Sequence, residues 1–307
     1  MRLTQLRYLV AVYEEKSFTA AARRVHATQS GLSMQIKDLE VRLGVKLFNR
    51  ASTGVTPTPA GEKLYKRATH IMREVSAIQN DIDAMSGQIT GTVYAGVMPT
   101  FARGVLAPVL DEFGKKYPQV EIKVLEAYSA VLSGGVAGGE IDMAIVPSSR
   151  DMSGIRGTHI DEDVEVFVSG PESPWEHLAP VNLSQCEPLK IALPSPENAR
   201  RRKIDNYLAT YNVPIDQIME LDSMMGTMDL VSKGEWATIL PGCLVFPDMD
   251  GQQRKLHPIT SPKLTVDYVL IEPESKTASE AARLFTEDLC ANIRKTCAYC
   301  RENLAIG

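Results

Sequence analysis

The sequence has no long apolar run behind its first charged residues, which read M-R-L-T-Q-L-R-Y-L. A secretory signal peptide needs such a run of about 7 to 15 residues, and a membrane-spanning helix needs about 20. We therefore expect neither segment in this protein. A chain without them has no membrane partner and stays in the cytoplasm.

The sequence contains few cysteines, and their number is odd. The five cysteines among the 307 residues are Cys186, Cys243, Cys290, Cys297 and Cys300. An odd number scattered through the second half of the chain argues against a disulfide framework. The last two cysteines are three residues apart, as zinc ligands or a redox pair could be, but no second pair and no nearby histidine completes a site. On a C-terminal helix such cysteines are more simply small apolar residues, so we expect no metal.

Arrangements of residues that support catalysis are also missing. The histidines stand singly, there is no G-x-S-x-G segment, and no two histidines stand four apart with a glutamate. Residues 133–140, S-G-G-V-A-G-G-E, resemble a phosphate-binding loop, but they lack its Gly-Lys-Ser/Thr ending and precede a predicted strand. We expect a protein that is not an enzyme and that carries no cofactor.

Charge is distributed unevenly along the chain, whose formal net charge is −5. Residues 1–88 hold 13 Lys and Arg against 8 Asp and Glu, whereas the remaining residues hold 20 against 30. A basic N-terminal region on an acidic body is typical of a protein that contacts phosphates with one end only. The length of the chain predicts two or three domains.

Residues 18–43 have the pattern of two short helices separated by a turn. Apolar residues recur at helical spacing on both sides of an interruption at residues 26–28, so each helix has one stripe to bury. Thr28 is suited to cap the second helix. From spacing alone, an ordinary two-helix hairpin with a polar face is an equally good explanation. The side chains off the second stripe that could contact bases in a major groove are Gln29, Ser30, Ser33, Met34 and Lys37.

Three segments of the first 61 residues carry a more specific pattern: A-A-A-R-R-V-H-A-T-Q-S-G-L-S, L-E-V-R-L-G-V-K-L-F-N-R and T-P-A-G. Through these segments the region resembles the N-terminal domain of LysR-type transcriptional regulators. The resemblance implies that two copies of residues 28–43 read an inverted repeat in a double-stranded DNA operator. Met34 and Thr53 stand where many relatives carry a polar or a basic residue, and both positions bear on base contacts.

Residues 45–55 contain short β-prone pieces around N-R-A-S-T-G, in which Gly54 can turn the chain sharply. We interpret them as a wing, so that the DNA-binding domain covers residues 1–58. A lone arginine on a hairpin faces solvent by default, but the resemblance makes Arg50 a phosphate or minor-groove contact. The predicted DNA contacts are Thr28, Gln29, Ser30, Ser33, Met34, Lys37 and Arg50.

A single long helix is predicted over residues 59–88. Apolar residues at positions 64, 68, 71, 75, 78, 82 and 85 alternate steps of four and three, which is the spacing of a coiled-coil seam. The small N-terminal domain cannot cover a seam of about three heptads, so we interpret it as pairing with a second copy of the chain. The alternative is a lone helix that lies along its own C-terminal domain. The resemblance makes it the linker helix and dimer contact of a homodimer or homotetramer.

Residues 91–307 alternate strand-like and helix-like segments, which is typical of parallel sheets with helices on both faces. The resemblance implies an α/β effector domain with two lobes like those of periplasmic binding proteins. Lobe I would cover about 91–163 and 266–307, lobe II about 164–265, with crossing segments near 162–168 and 261–268. Strands are predicted at residues 92–98, 120–127, 141–146, 189–193, 217–221, 237–240 and 265–271, and helices at 101–116, 200–210 and 277–293.

Ligands of open α/β sheets bind at the carboxyl ends of strands, where helix N-termini present amide groups to anions. Hydroxyl side chains follow four of the predicted strands, two in each lobe. Each alone is more often a helix cap than a ligand contact, but together they predict a pocket for a small organic anion. The L-P-S segment followed by arginines resembles the family pattern and favours Arg201 as the inward charge, with Arg200 and Arg202 solvated. The predicted effector site is Met98, Pro99, Thr100, Phe101, Ser129, Pro147, Ser148, Ser195, Arg201 and Ser223.

The sequence therefore predicts a LysR-type regulator that binds an operator, a small effector, a second copy of itself and RNA polymerase. Two alternatives stay open. A binding-protein-like enzyme or transport receptor with an accessory helical domain would need a catalytic constellation or a signal peptide. A thiol-redox regulator of the same fold would need an exposed thiol activated by positive charge, whereas Cys186 lies between Gln185 and Glu187.

Overall fold

The computed structural model describes residues 1–51, 54–85, 87–148, 154–274 and 278–304. These residues form two compact units, Met1–Gly91 and Thr92–Gly307. The division falls beside Gly91, where the sequence predicts that helix gives way to strand. No described helix is long and apolar enough to cross a membrane.

Three helices form the core of the first unit: α1 spans Leu3–Glu15, α2 spans Phe18–Arg24 and α3 spans Gln29–Leu43. Their apolar residues meet in one cluster, in which Leu32, Ile36 and Leu39 of α3 are fully buried. Burying one such side chain contributes about 1.5 to 3 kcal/mol, so the helical spacing of these residues is enough to turn one face of α3 inward. The predicted pair of short helices is confirmed.

A two-stranded wing and a long helix complete this unit. The strands β1, Phe48–Ala51, and β2, Gly54–Pro57, are antiparallel. Position 53 of the wing lies outside the described residues. Helix α4 spans Pro59–Met85 and begins at a proline, which has no amide hydrogen to leave unpaired there. A side chain at Gly61 would overlap the carbonyl of Leu47, so only glycine lets the first turn of α4 pack this closely.

The apolar seam of α4 is divided between two environments. Ala68 is buried in the core of the first unit, and Tyr65 stacks on Tyr13 of α1 with ring centroids 3.7 Å apart. The prediction that the N-terminal domain cannot cover this seam is therefore wrong for its first half, because α1 packs on it. Further along α4, Ile78 is 65% exposed and Met85 is 85% exposed. This second half of the seam is available to another chain.

Among its described residues the second unit has nine strands: β3 Gly91–Val97, β4 Val120–Glu126, β5 Met143–Pro147, β6 Ile155–Ser169, β7 Leu189–Leu193, β8 Ile215–Glu220, β9 Ala237–Pro241, β10 Lys255–Pro258 and β11 Thr265–Pro273. Their order is β4-β3-β5-β11-β6-β9-β7-β8, and β10 pairs with β6. The sequence pattern predicts seven of these strands and does not predict β10. The crossing segment predicted near 162–168 lies inside β6, which is longer than that segment and on which both lobes are built.

Strand β6 passes from one lobe into the other. Residues 155–164 pair with β11, which pairs in turn with β5, whereas residues 165–169 pair with β9 and β10. We call the sheet on the β11 side lobe I and the sheet on the β9 side lobe II. All these pairs are antiparallel, although β5 is parallel to β3, and β7 to β8 and β9. The predicted parallel pairing is therefore present in both lobes, whereas these antiparallel pairs all involve β6 or β11.

The helices of the second unit are α5 Pro99–Ala102, α6 Leu106–Lys116, α7 Ser129–Ala137, α8 Ala199–Thr210, α9 Met224–Lys233, α10 Gly242–Val245 and α11 Glu280–Leu304. The helix predicted over 101–116 is divided, because Gly104 adopts left-handed backbone with φ 89°. Helix α11 is longer than predicted, and predicted residue 277 lies outside the described residues. Phe285 of α11 packs on Phe113 of lobe I, whereas Cys300 and Leu304 lie in a lobe II cluster. Helix α11 therefore contacts both lobes.

Candidate functional site

The N-termini of α2 and α3 are both fixed by side-chain caps. Ser17 Oγ accepts a hydrogen bond from the amide of Ala20 at 3.3 Å, and Thr28 Oγ1 accepts one from the amide of Gly31 at 3.2 Å. Each cap pairs an amide that has no partner within its helix, which contributes about 1 kcal/mol. His26 lies between them in left-handed backbone, with φ 55°. The predicted N-cap of α3 is confirmed.

The outer face of α3 presents side chains that the fold does not use for packing. Gln29, Ser30, Met34 and Lys37 are exposed, whereas Leu32, Ile36 and Leu39 of α3 are buried in the core. An exposed helix face that carries an amide, a hydroxyl, a thioether and an ammonium group has the groups needed to contact base edges and thymine methyl groups. The two helices and this face have the arrangement of a helix-turn-helix.

Arg50 joins the wing to α3. Its Nη1 donates to Ser33 Oγ at 3.0 Å, and its guanidinium carbon lies 4.0 Å from the centre of the Phe18 ring. Stacking on an aromatic ring fixes the plane of the guanidinium, which is exposed beside the outer face of α3. The hydroxyl of Ser33, predicted to contact DNA directly, is positioned to orient Arg50. The sequence does not indicate this pairing, because the two residues are 17 positions apart.

Glu40 fastens the end of α3 to the start of the wing. Its buried Oε1 accepts hydrogen bonds from the amides of Leu47 at 2.8 Å and Phe48 at 3.4 Å, and its Oε2 accepts one from Lys46 Nζ at 3.1 Å. Burial alone would raise the pKa of Glu40, but these donors together outweigh it and hold the pKa below its ordinary value of 4.5. The ionised form of Glu40 therefore stabilises the position of the wing.

A cavity of about 620 Å³ lies between β5 of lobe I and α8 of lobe II. This volume falls within the range of about 300 to 1,000 Å³ that small-molecule sites occupy. The lining carries hydroxyl, amide, carboxylate and basic side chains beside apolar ones. The lining residues are Pro147, Ser148, Glu165, Ala199, Arg200, Arg202, Lys203, Ile204, Asn206, Leu264, Val266 and Asp267.

The arginine that lies inside the cavity wall is Arg200, which is 5% exposed. Its Nε and Nη2 donate to the two carboxylate oxygens of Glu165 at 2.7 and 2.5 Å, and Nη2 also donates to the carbonyl of Ile239 at 3.0 Å. The expectation that Arg200 is solvated is therefore wrong, because Glu165 of the crossing strand supplies its counter-ion. Arg201, predicted to point inward, instead donates from Nε to Asp205 at 2.8 Å and from Nη1 to the carbonyl of Pro194 at 2.5 Å.

Except for Pro147 and Ser148, the other residues of the predicted effector site lie outside the lining of this cavity. Thr100 and Ser195 are buried, and Ser223 is exposed and caps α9 by accepting from the amide of Gly226 at 3.1 Å. Met98 and Phe101 are buried, whereas Pro99 and Ser129 are half-buried. Among the described residues that line the cavity, those of the predicted set are Pro147 and Ser148.

Polar contacts made by Tyr128 and Arg103 also join the lobes away from the crossing strands. The hydroxyl of Tyr128, just after β4, donates to the carbonyl of Asp222, just after β8, at 2.8 Å. Arg103 of lobe I donates two hydrogen bonds to the carboxylate of Asp248 in lobe II, at 2.7 and 2.6 Å, and Arg254 also binds that carboxylate. Burial raises the pKa of Asp248, but the two arginines outweigh it and lower the pKa below its ordinary value. The sequence pattern indicates neither contact.

The cysteines that lie near the surface or apart from other thiols are not activated. Cys186 is half-buried, and burial raises the pKa of its thiol. Burial also raises the pKa of Cys290, to about 11, although Arg294 partly opposes the shift. Since the thiolate is the reactive form, both thiols are poor nucleophiles at neutral pH. These two residues do not favour the thiol-redox alternative.

Two family models match the chain. The first, described as a bacterial regulatory helix-turn-helix protein of the lysR family, matches residues 3–62. The second, described as a LysR substrate binding domain, matches residues 86–292. The first range contains α3 and the wing, and the second contains the cavity lining and all the strands of both lobes.

Individual relatives agree with these matches. The nitrogen assimilation regulatory protein nac of Escherichia coli strain K12 is 25% identical over 294 residues, which is 95% of each chain. A probable hydrogen peroxide-inducible genes activator of Streptomyces viridosporus is 34% identical over 175 residues, which is 57% of this chain and 55% of that protein.

Solved structures share the fold. A full-length OxyR variant from Pseudomonas aeruginosa has a TM-score of 0.69 and 22% identity, covering 96% of this chain and 95% of that one. Full-length CbnR in complex with its target DNA has a TM-score of 0.67 and 17% identity, covering 96% of this chain and 100% of that one. At these identities the likeness concerns the architecture of the two units.

Proposed function

The chain belongs to the LysR family of bacterial regulatory helix-turn-helix proteins, and we propose how its parts divide the work of that family. It is a transcriptional regulator with a DNA-binding domain and an effector-binding domain. We assign residues 1–58 to DNA binding, 59–88 to dimerisation and 91–307 to effector binding. RNA polymerase is a further proposed partner, on the family resemblance alone.

The observation that carries the DNA-binding assignment is the outer face of α3 with Arg50 beside it. Gln29, Ser30, Met34 and Lys37 are exposed on a helix that is capped and braced from within. We assign base contacts to Gln29, Ser30 and Met34, and phosphate contacts to Lys37 and Arg50. Thr28 and Ser33 act mainly by positioning α3 and Arg50, since their hydroxyls already bind protein groups.

The exposed half of the α4 seam supports the dimer. Ile78 and Ile82 are 65% and 55% exposed, and apolar residues at this spacing are stable when a second helix covers them. Ile78→Asp would place a charge inside the paired seam, so light scattering should give the mass of a single chain. Ser76→Asp adds the same charge at an exposed position off the seam and should leave the mass unchanged. If the mass of the Ile78→Asp variant were unchanged, α4 would not form the dimer interface.

The cavity between β5 and α8 is the proposed effector site. Arg200 is neutralised by Glu165, which leaves Arg202 and Lys203 against Asp267 as the charges of the lining. This excess of positive charge, together with the hydroxyl of Ser148, favours a small organic anion. A ligand held between the lobes shifts their arrangement by the difference between its affinities for the two states, typically about 1 to 3 kcal/mol.

A thermal-shift experiment with small carboxylates such as succinate and benzoate tests the proposed effector site. A carboxylate that raises the melting temperature of the full chain should lose this effect in the double variant Ser148→Ala and Lys203→Ala. The double variant Thr100→Ala and Arg201→Ala alters residues of the predicted site that lie outside the cavity lining, and it should keep the effect. If the Thr100→Ala and Arg201→Ala variant lost the effect and the Ser148→Ala and Lys203→Ala variant kept it, the effector would instead bind at the predicted site around Thr100, Ser129, Ser195 and Arg201.

A further inference from the structure

Three thiols and one carboxylate meet in the interior of the second unit. Cys243 lies in α10, Cys297 and Cys300 lie on one face of α11, and Asp163 lies in β6. All four residues are fully buried. The sequence shows the two thiols of α11 three residues apart and nothing that completes a site beside them. The fold brings Cys243 and Asp163 to the same place from 54 or more residues away.

The spacing of these groups is that of ligands around one ion. The Sγ atoms of Cys243 and Cys297 are 3.5 Å apart. One ligand atom from each of Asp163, Cys243 and Cys300 lies within 4.8 Å of the others. Sulfurs bound to a tetrahedral zinc ion at about 2.3 Å lie roughly 3.8 Å from each other. Cys297 lies outside that group of three, so a movement of its side chain towards Asp163 and Cys300 would be needed to place four donors around one centre.

Gly242 allows this close approach. A Cβ atom at this position would lie 2.8 Å from Asp163 Oδ1 and 2.9 Å from the Cβ of Cys300. Both distances are below van der Waals contact, so any larger residue would push α10 away from β6 and α11. The close approach of the three elements therefore depends on a glycine immediately before Cys243.

The carboxylate of Asp163 distinguishes this cluster from an apolar packing of cysteines. It accepts hydrogen bonds from the amides of Val164 at 2.9 Å and Cys243 at 2.8 Å, and from the hydroxyl of Tyr268 at 3.5 Å. In the parts of the chain that the structure describes, no lysine, arginine or histidine forms a salt bridge with it. Burying a carboxylate without a cation is costly. A metal ion among the three sulfurs would supply that cation.

We propose that Asp163, Cys243, Cys297 and Cys300 bind one thiophilic divalent metal ion of the class of zinc. Binding forms three metal–sulfur bonds and one metal–oxygen bond, and the thiol protons are released to solvent. Since all four ligands come from the chain and are buried, no coordination position is left for a substrate. The site is therefore structural, with thiolates that select a soft ion over magnesium or calcium.

The position of the cluster gives such an ion a mechanical role. β6 passes between the lobes, α10 belongs to lobe II, and α11 contacts both lobes. An ion bound by all three elements would restrict the movement of the lobes at their crossing point. This role does not depend on where the effector binds.

Cobalt titration of the reduced, metal-stripped full chain tests the proposal. Co²⁺ should bind with one ion per chain and give thiolate-to-cobalt charge-transfer absorption with the intense visible bands of a tetrahedral site. Cys300→Ser should weaken this binding by more than the roughly 10- to 100-fold that loss of a supporting residue around a metal site causes. Cys290→Ser, the same change at another buried cysteine of α11, should leave titration and spectrum unchanged.

A second measurement covers the case in which Cys300→Ser fails to fold. In the wild-type chain, Zn²⁺ should slow the alkylation of Cys243, Cys297 and Cys300 and leave the rate at Cys186 unchanged. Asp163→Asn should retain the charge-transfer absorption and lower the affinity. A wild-type chain without thiolate–cobalt absorption would overturn the proposal. So would a disulfide between Cys243 and Cys297 that forms equally fast with and without Zn²⁺.

Discussion

The outer face of α3 and the wall of the cavity use polar side chains in opposite ways. On α3, Gln29 and Lys37 are exposed and the fold does not depend on them. In the cavity wall, Arg200 and Glu165 are buried and bind each other. Residues that are available to bind a partner are therefore those whose loss the fold tolerates. A change on the outer face of α3 should alter DNA binding alone, whereas a change at Arg200 or Glu165 should alter stability.

The largest effect is expected in the cavity wall. Glu165→Gln leaves the guanidinium of Arg200 buried without a counter-ion, which should lower the free energy of unfolding by about 3 to 5 kcal/mol. Asp205→Asn removes the carboxylate that binds Arg201. Because Asp205 is 45% exposed, this change should lower the free energy of unfolding by about 1 kcal/mol or less. Denaturant unfolding of the full chain, monitored by a signal from the second unit, measures the free energy of unfolding of each variant. Equal losses in the two variants would contradict the structural role of the buried pair.

Gln29→Ala tests the outer face of α3, where DNA binding should change without a change in stability. Removal of an exposed amide should reduce the discrimination of the operator from a mutated operator by about 1 to 3 kcal/mol. The free energy of unfolding should change by no more than about 0.5 kcal/mol. Competition binding at fixed salt measures the discrimination, with Gln79→Ala on the exposed surface of α4 as the matched control. Full discrimination by the Gln29 variant would remove this residue from the base contacts.

Thr28 should contribute to both DNA binding and stability, because it lies in the DNA-binding region and also caps α3. Thr28→Ala should lower the free energy of unfolding of the first unit by about 1 kcal/mol. Thr28→Ser keeps the oxygen that accepts from the amide of Gly31 and should retain most of the stability. Thermal unfolding followed by circular dichroism measures the difference. If both variants were as stable as the wild type, the cap would contribute nothing.

The smallest effect is confined to acid. Because the folded-state pKa of Glu40 lies below 4.5, its contribution to stability is present above about pH 4.5 and is lost as the pH falls through the folded-state value. Unfolding of the first unit should therefore respond more steeply to acid in the wild type than in Glu40→Gln. If the free energy of unfolding of the first unit depended on pH in the same way in both chains, other carboxylates would be responsible for the acid response.

The sequence predicts those features that depend on neighbours along the chain. The stripes of α3, its cap at Thr28 and the wing are all set by residues within one short segment. The pairing of Arg200 with Glu165 spans 35 positions, and local spacing does not indicate which of three consecutive arginines turns inward. The crossing segment predicted near 162–168 lies inside β6, but local spacing does not indicate its pairing with β9, β10 and β11, which depends on residues far away in the chain. The effector site was predicted from strand ends, but the cavity depends on how the crossing strands place α8.

The side chains of β6 alternate between two apolar cores. Val164, Val166 and Val168 pack in one cluster, whereas Phe167 packs in another and Glu165 reaches Arg200. Because side-chain direction reverses at every residue of a strand, inserting or deleting a single residue here would exchange these sets and turn the carboxylate into an apolar core. Length changes during the evolution of such proteins should therefore accumulate in loops, while β6 keeps its number of residues even where their identities change.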